Sequence, residues 1–126
     1  VMIVLATDAP LDARQLRRLC VRAAVGLART GSHHMHGSGD FVIAFSTAHR
    51  IEQAPESLTA LRPVLADEPT VMAGLFPAIA ECVEEAIVNS LFRAETVIGR
   101  DGNTRYALPL EDVMALIRKY RSGGFA

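Results

Sequence analysis

The sequence predicts an α/β chain whose sheet and core are completed by a second polypeptide. Three observations carry this. The chain opens on an uninterrupted apolar run, Val1–Ala6, that reads as a strand. A helical pattern and then a second run rich in β-branched and aromatic residues, Asp40–Thr47, follow it. Two strands do not make a stable sheet alone, and the remaining helices present more apolar surface than two strands can cover. At 126 residues the chain is expected to be one domain, or part of one.

Composition narrows the class. Half the residues are hydrophobic, 21% are charged, and the mean hydropathy is +0.23, which excludes intrinsic disorder. Thirteen Lys and Arg against fourteen Asp and Glu leave a net charge of −1. A nucleic-acid or anionic-membrane binder is expected to be clearly basic, so neither partner is expected. Val1–Ala6 is far shorter than the ~20 apolar residues of a membrane span. Cys20 and Cys82 lie far apart with no CxxC, which argues against a disulfide framework and a thiolate zinc site. Two buried reduced thiols in a reducing compartment are expected. The expected location is therefore cytoplasmic, or periplasmic if a preceding segment carries a signal peptide.

The elements follow in order. Val1–Leu5 reads as a strand buried on both faces. It has no initiator Met, signal-peptide n-region or lead-in, so a truncated or proteolytically produced chain is expected. Thr7 and Asp8 are helix-capping types and Pro10 suits a first turn. Leu16, Leu19, Cys20, Ala23, Ala24 and Leu27 recur at helical spacing, giving a helix over about Pro10–Ala28 that ends near Thr30–Gly31. Arg14, Arg18 and Arg22 stripe its other face, as an anion-binding surface or, on the near-zero net charge, a solvated one. Gly31–Gly39 is a loop. Ala48–Pro69 is irregular, punctuated by Pro55, Pro63 and Pro69, with room for a short helix near Glu56–Leu65. Leu75, Ile79, Cys82, Val83, Ala86, Ile87 and Leu91 share a face of a helix over Thr70–Phe92, where Pro77 predicts a kink or a later start. Gly99–Asn103 is a turn and Arg105–Leu108 is extended. Pro109–Tyr120 is a last helix, with Val113, Leu116 and Ile117 inward.

Three constellations could carry chemistry. His33, His34 and His36 could bind a transition metal, with Asp40 as a further ligand; an ordinary polar loop is the simpler reading. Gly37-Ser38-Gly39-Asp40 sets a hydroxyl and a carboxylate two residues apart at a strand mouth. In an extended segment both point to one side, where the carboxylate can orient the hydroxyl or accept its proton. A glycine-flanked turn with an Asx-type strand start is the alternative. No histidine stands in a recognisable triad order, and GSGD is not the G-x-S-x-G elbow. Thr7-Asp8-Ala9-Pro10-Leu11 reads as a helix start.

VMIVLATDAPL at Val1–Leu11, GLARTGS at Gly26–Ser32, GSGDFVIAFST at Gly37–Thr47 and, more weakly, EEAIVNSL at Glu84–Leu91 together resemble a known family. It is the L-aminopeptidase D-esterase/amidase (DmpA-type) and β-peptidyl aminopeptidase family, and the likeness is to its C-terminal β-chain, over nearly the whole sequence. The resemblance implies a four-layer α/β/β/α sandwich built with an α-chain from the same precursor, assembled as a multimer of heterodimers. It implies autocatalytic cleavage at a Gly–Ser bond. The nucleophile is then the serine immediately before Val1, which lies outside this sequence. Ser38 corresponds to a second active-site serine and Asp40 to its acidic partner. That acid is glutamate in some members, and aspartate is one methylene shorter. The implied substrate is a short peptide, amide or ester that loses its N-terminal residue. No cofactor or metal is expected. Two other readings stay open: an acyltransferase of the ornithine acetyltransferase type, whose β-chain starts with threonine, and a catalytically inactive assembly subunit.

Overall fold

The computed structural model describes residues 1–66 and 68–122. Its elements are β1 (Met2–Thr7), α1 (Ala13–Arg29), β2 (Phe41–Ser46), α2 (Glu68–Phe92), β3 (Val97–Ile98), β4 (Thr104–Arg105) and α3 (Leu110–Ser122). The expected α/β class is what the chain adopts. The described residues divide into two compact units, one from Val1 to Glu85 and one from Ala86 onward.

In the first unit β1 and β2 pair in parallel, with Met2 opposite Phe41, Val4 opposite Ile43 and Thr7 opposite Ser46. Parallel neighbours need a crossover, and α1 supplies it. The pairing sets the starts of both strands side by side and both ends together. At the far end the Ser46 hydroxyl donates to the Ala9 carbonyl at 2.6 Å, and the Thr7 hydroxyl accepts from the Ala9 amide at 3.2 Å. TDAPL is thus a corner tied to the strand ends, and the helix begins later than expected. Asp12, not Thr7 or Asp8, is the N-cap. Its carboxylate accepts from the Gln15 amide at 2.6 Å, while the Gln15 side chain accepts from the Asp12 amide at 2.9 Å. This reciprocal pair satisfies two of the free donors of the first turn.

Gln15 is 1% exposed, and its second function explains why a polar side chain is buried there. Its amide nitrogen donates to the Leu65 carbonyl at 2.9 Å and to Glu68 Oε1 at 3.1 Å, tying α1 to the start of α2. A buried amide is tolerable only when its donors and acceptor are matched, as here. The arginine stripe is only partly a solvated face: Arg14 is exposed, but Arg18 and Arg22 are half-buried. Arg14 and Arg18 both ion-pair with Glu68, the latter at 2.5 Å. The Arg18 and Arg22 guanidinium carbons lie 5.0 and 3.9 Å from the centroid of the Phe76 ring. The Arg14 bond, then Gln15, with Arg18 adding its charge, hold the Glu68 carboxyl down at about 2.

Leu5, Leu11, Leu19, Ala23, Leu27, Met72, Ala80 and Val83 form the buried core. The strands are covered on one face only, which corrects the expectation of burial on both. Met2, Val4, Phe41, Ile43 and Phe45 remain between 46% and 70% exposed, whereas Leu5 on the opposite face is buried. The period-2 alternation makes these five one continuous apolar face.

Four further expectations change. The segment near Glu56–Leu65 holds no helix, and Leu58 and Leu61 are fully exposed. α2 starts earlier than expected and runs through Pro77. Pro69 lies in its first turn, where a missing N–H costs nothing. Cys82 is exposed, because it lies two positions past buried Ala80 and so about 200° round the helix; Cys20 is half-buried. In the second unit, β3 and β4 form a short antiparallel hairpin over a turn at Arg100–Gly102, where Asp101 (φ +58°) and Gly102 (φ +74°) take left-handed backbone. Leu116 on α3 is exposed, while Val113 and Ile117 are half-buried. No helix among the described residues is long and apolar enough to cross a membrane.

Candidate active site

The parallel register brings Val1 and Asp40, 39 positions apart in sequence, to one point. Phe41 donates its amide to the Val1 carbonyl at 2.9 Å, which locks the two strand starts together. The Val1 amino nitrogen then donates to Asp40 Oδ1 at 2.9 Å and to the Gly39 carbonyl at 3.1 Å. With another residue joined ahead of Val1 this nitrogen would be a peptide N–H. It would then carry one hydrogen for these two acceptors, and no positive charge.

The loop between α1 and β2 delivers the other side chains. Gly31 (φ +93°) and Gly37 (φ +90°) take backbone conformations open to glycine and costly for other residues. The Ser38 amide closes a turn on the Met35 carbonyl at 2.9 Å. Beyond it, the extended approach to β2 aims Ser38 and Asp40 to one side. The Ser38 hydroxyl donates to Asp40 Oδ2 at 2.8 Å. The sequence places these two residues as partners, and the structure brings them together with the start of β1.

The histidines do not converge. His34 turns back and its Nδ1 lies 3.1 Å from Asp40 Oδ2, with Nε2 3.4 Å from the Ala24 carbonyl of α1. No group of three or more His, Cys, Asp or Glu among the described residues is arranged to hold a metal ion. The contact of His34 with Asp40 is not expected from spacing. The only signal for it is a glycine on either side of the histidines, which lets six residues of chain fold back on themselves.

Asp40 therefore accepts on both oxygens. Bonds from the Val1 nitrogen, then from Ser38 and His34, hold its carboxyl below an ordinary 3.8, with partial burial working the other way. It is an ionised acceptor throughout the neutral range. A serine hydroxyl whose proton is committed to such a carboxylate keeps its lone pairs free, so Ser38 can accept a proton from a third group at the mouth of β1.

Comparison with known proteins places this arrangement. The model of peptidase family S58 matches residues 1–105. The chain belongs to peptidase family S58. The β-peptidyl aminopeptidase BapA of Sphingosinicella microcystinivorans is 38% identical over 122 residues, or 96% of this S58 chain. Among solved structures, the PH0078 protein of Pyrococcus horikoshii OT3 is 50% identical with a TM-score of 0.82, over 94% of this chain and 33% of that one. The L-aminopeptidase D-Ala-esterase/amidase of Ochrobactrum anthropi is 37% identical with a TM-score of 0.78, over the same shares. It is described as a prototype of the serine aminopeptidases and a variant of the Ntn hydrolase fold. The S58 chain shares that fold over its own length, and it spans about 30% of the length of the curated relatives it matches.

Proposed function

We propose that this chain is the β-chain of a self-cleaving aminopeptidase or amidase. It works with an α-chain from the same precursor, in a multimer of such heterodimers. The nucleophile is a serine joined directly ahead of Val1 and freed by cleavage of the bond before it. The substrate is a short peptide, amide or ester that loses its N-terminal residue.

One observation carries this reading: Asp40 takes the Ser38 hydroxyl on one oxygen at 2.8 Å and the Val1 nitrogen on the other at 2.9 Å. A residue attached to that nitrogen would stand within a residue's length of the Ser38–Asp40 pair. Family membership and relatives named as aminopeptidases support it.

The chemistry follows from the groups. A hydroxyl is a weak nucleophile until a base takes its proton. An N-terminal serine carries its own α-amine, whose ordinary pKa of ~7.7–8.0 lets it serve as that base near neutral pH without a histidine. Ser38, backed by ionised Asp40, relays and orients the proton. The serine oxygen attacks the carbonyl, the amine leaves with a proton, and water hydrolyses the acyl-enzyme. Oxyanion donors and the groups that hold the substrate's free amine come from the α-chain. The bare sheet face of Met2, Val4, Phe41, Ile43 and Phe45 supports a second sheet stacked on it, as in an α/β/β/α sandwich.

The test is Ser38→Ala in the full-length protein. The variant should stay folded and lose about a hundredfold or more in kcat on aminoacyl amides, a loss typical of removing a positioned proton-transfer group. Wild-type turnover in that variant would remove Ser38 from the mechanism. N-terminal sequencing of the processed protein, expected to read Ser-Val-Met-Ile, tests the nucleophile; any other residue before Val1 overturns it.

A further inference from the structure

Asp40 Oδ2 is shared. Besides the Ser38 hydroxyl it receives His34 Nδ1 at 3.1 Å, and the same ring reaches across to the Ala24 carbonyl of α1 at 3.4 Å through Nε2. Both of the ring's neighbours are acceptors. A neutral imidazole carries one N–H, so in either tautomer one bare nitrogen faces an oxygen lone pair. The imidazolium, with two N–H groups, satisfies both contacts at once. The ring is held there on left-handed backbone at His34 (φ +47°), a region in which asparagine, aspartate and histidine are the enriched residues after glycine. The His34 amide also lies 3.4 Å from the Ser32 hydroxyl, within the same loop.

We propose that His34 is a positioning residue that clamps Asp40 between α1 and the strand mouth and so sets the orientation of Ser38. The proposal rests on the aminopeptidase reading and deepens it by adding a positioning residue to the same site. The groups facing the ring are the Asp40 carboxylate and the Ala24 carbonyl of α1. His33 and His36, its loop neighbours, make no such contact. Without the ring, Asp40 is free to rotate and Ser38 follows.

The variants are chosen for the backbone as well as the side chain. His34→Asn tolerates left-handed backbone, sets an N–H donor near the position of Nδ1 and does not titrate. His34→Gly suits the backbone and removes the donor. In the full-length protein, kcat should fall about tenfold in His34→Gly with KM little changed. His34→Asn should keep most of kcat. NMR titration of the Asp40 carboxyl gives a second readout that needs no turnover. Its midpoint should rise in His34→Gly and stay near the wild-type value in His34→Asn. Wild-type kcat and Asp40 titration in both variants would overturn the proposal. Equal losses in both variants, with an unshifted Asp40, would also overturn it, as a loop-packing effect. If the wild-type protein does not turn over aminoacyl amides, the aminopeptidase reading falls, and the Asp40 titration alone decides the clamp.

Discussion

Asp40 holds three groups with two oxygens: the Val1 nitrogen at the start of β1, the Ser38 hydroxyl and the His34 ring. Replacing it with asparagine turns one oxygen into an NH2 donor, so at least one donor meets another donor instead of an acceptor. Asp40→Asn should impair both turnover and precursor cleavage, with kcat down about a hundredfold. Uncleaved precursor on a denaturing gel and the residual rate check this; normal processing and rate would count against it. The sign of the pH effect follows from the low Asp40 pKa. A carboxyl held below an ordinary 3.8 contributes stability above roughly pH 4, and loses it as pH falls through its lowered value. The stability gap between wild type and Asp40→Asn should therefore be constant at neutral pH and close below pH 4. The pairing of Ser38 with Asp40 was legible because a serine between two glycines at a strand mouth is a local pattern. The His34 contact was not legible. It depends on where two left-handed glycines send the loop, and the spacing of His33, His34 and His36 reads most simply as a plain polar loop.

At the level of elements, the α1–α2 contact is set by one missing side chain. Gly26 lies inside α1, where glycine costs about 1 kcal/mol against alanine. A Cβ there would meet the Ala80 carbonyl at 2.4 Å and Val83 Cβ at 2.8 Å. The backbone oxygen cannot move aside, so the helices would have to separate. Overpacking of this kind costs ~1–3 kcal/mol or more, and exceeds the propensity gain. Gly26→Ala should lower the thermal midpoint of the full-length protein; an unchanged or raised midpoint would mean the helices do not approach this closely. The periods that mark β1, α1 and β2 were readable, because strands alternate and helices repeat every 3.6 residues. What escaped the sequence was pairwise. The arginine stripe looks solvated until Glu68 and Phe76 arrive from 50 or more positions away. Likewise Thr7 and Asp8 are good capping residues, but the Ser46 bond to Ala9 turns them into a corner and passes the cap to Asp12.

For the whole molecule the decisive feature is the bare side of a two-stranded parallel sheet. Parallel strands are found almost only where both faces are covered. Here five large apolar side chains from β1 and β2 lie uncovered, and the first strand's sequence, apolar at every position from Val1 to Ala6, is written for burial on both sides. The expectation of two buried faces fails for this chain alone, and would be met once a second sheet packs on it. Each such side chain contributes about 1.5–3 kcal/mol when fully buried. A single carboxylate in the middle of the face forfeits that and adds an unpaired buried charge. Ile43→Asp is therefore predicted to break the association while leaving Ser38 and Asp40 in sequence and α1 unaltered. In the full-length protein, size-exclusion chromatography should show wild type as one species holding both chains, and the variant as separated or aggregated chains without activity. Thr47→Asp, at an exposed position just past the end of β2, is the matched control and should assemble as wild type does. An Ile43→Asp protein that assembles and turns over normally would mean that this face stays in water, and that the companion chain, if there is one, binds elsewhere.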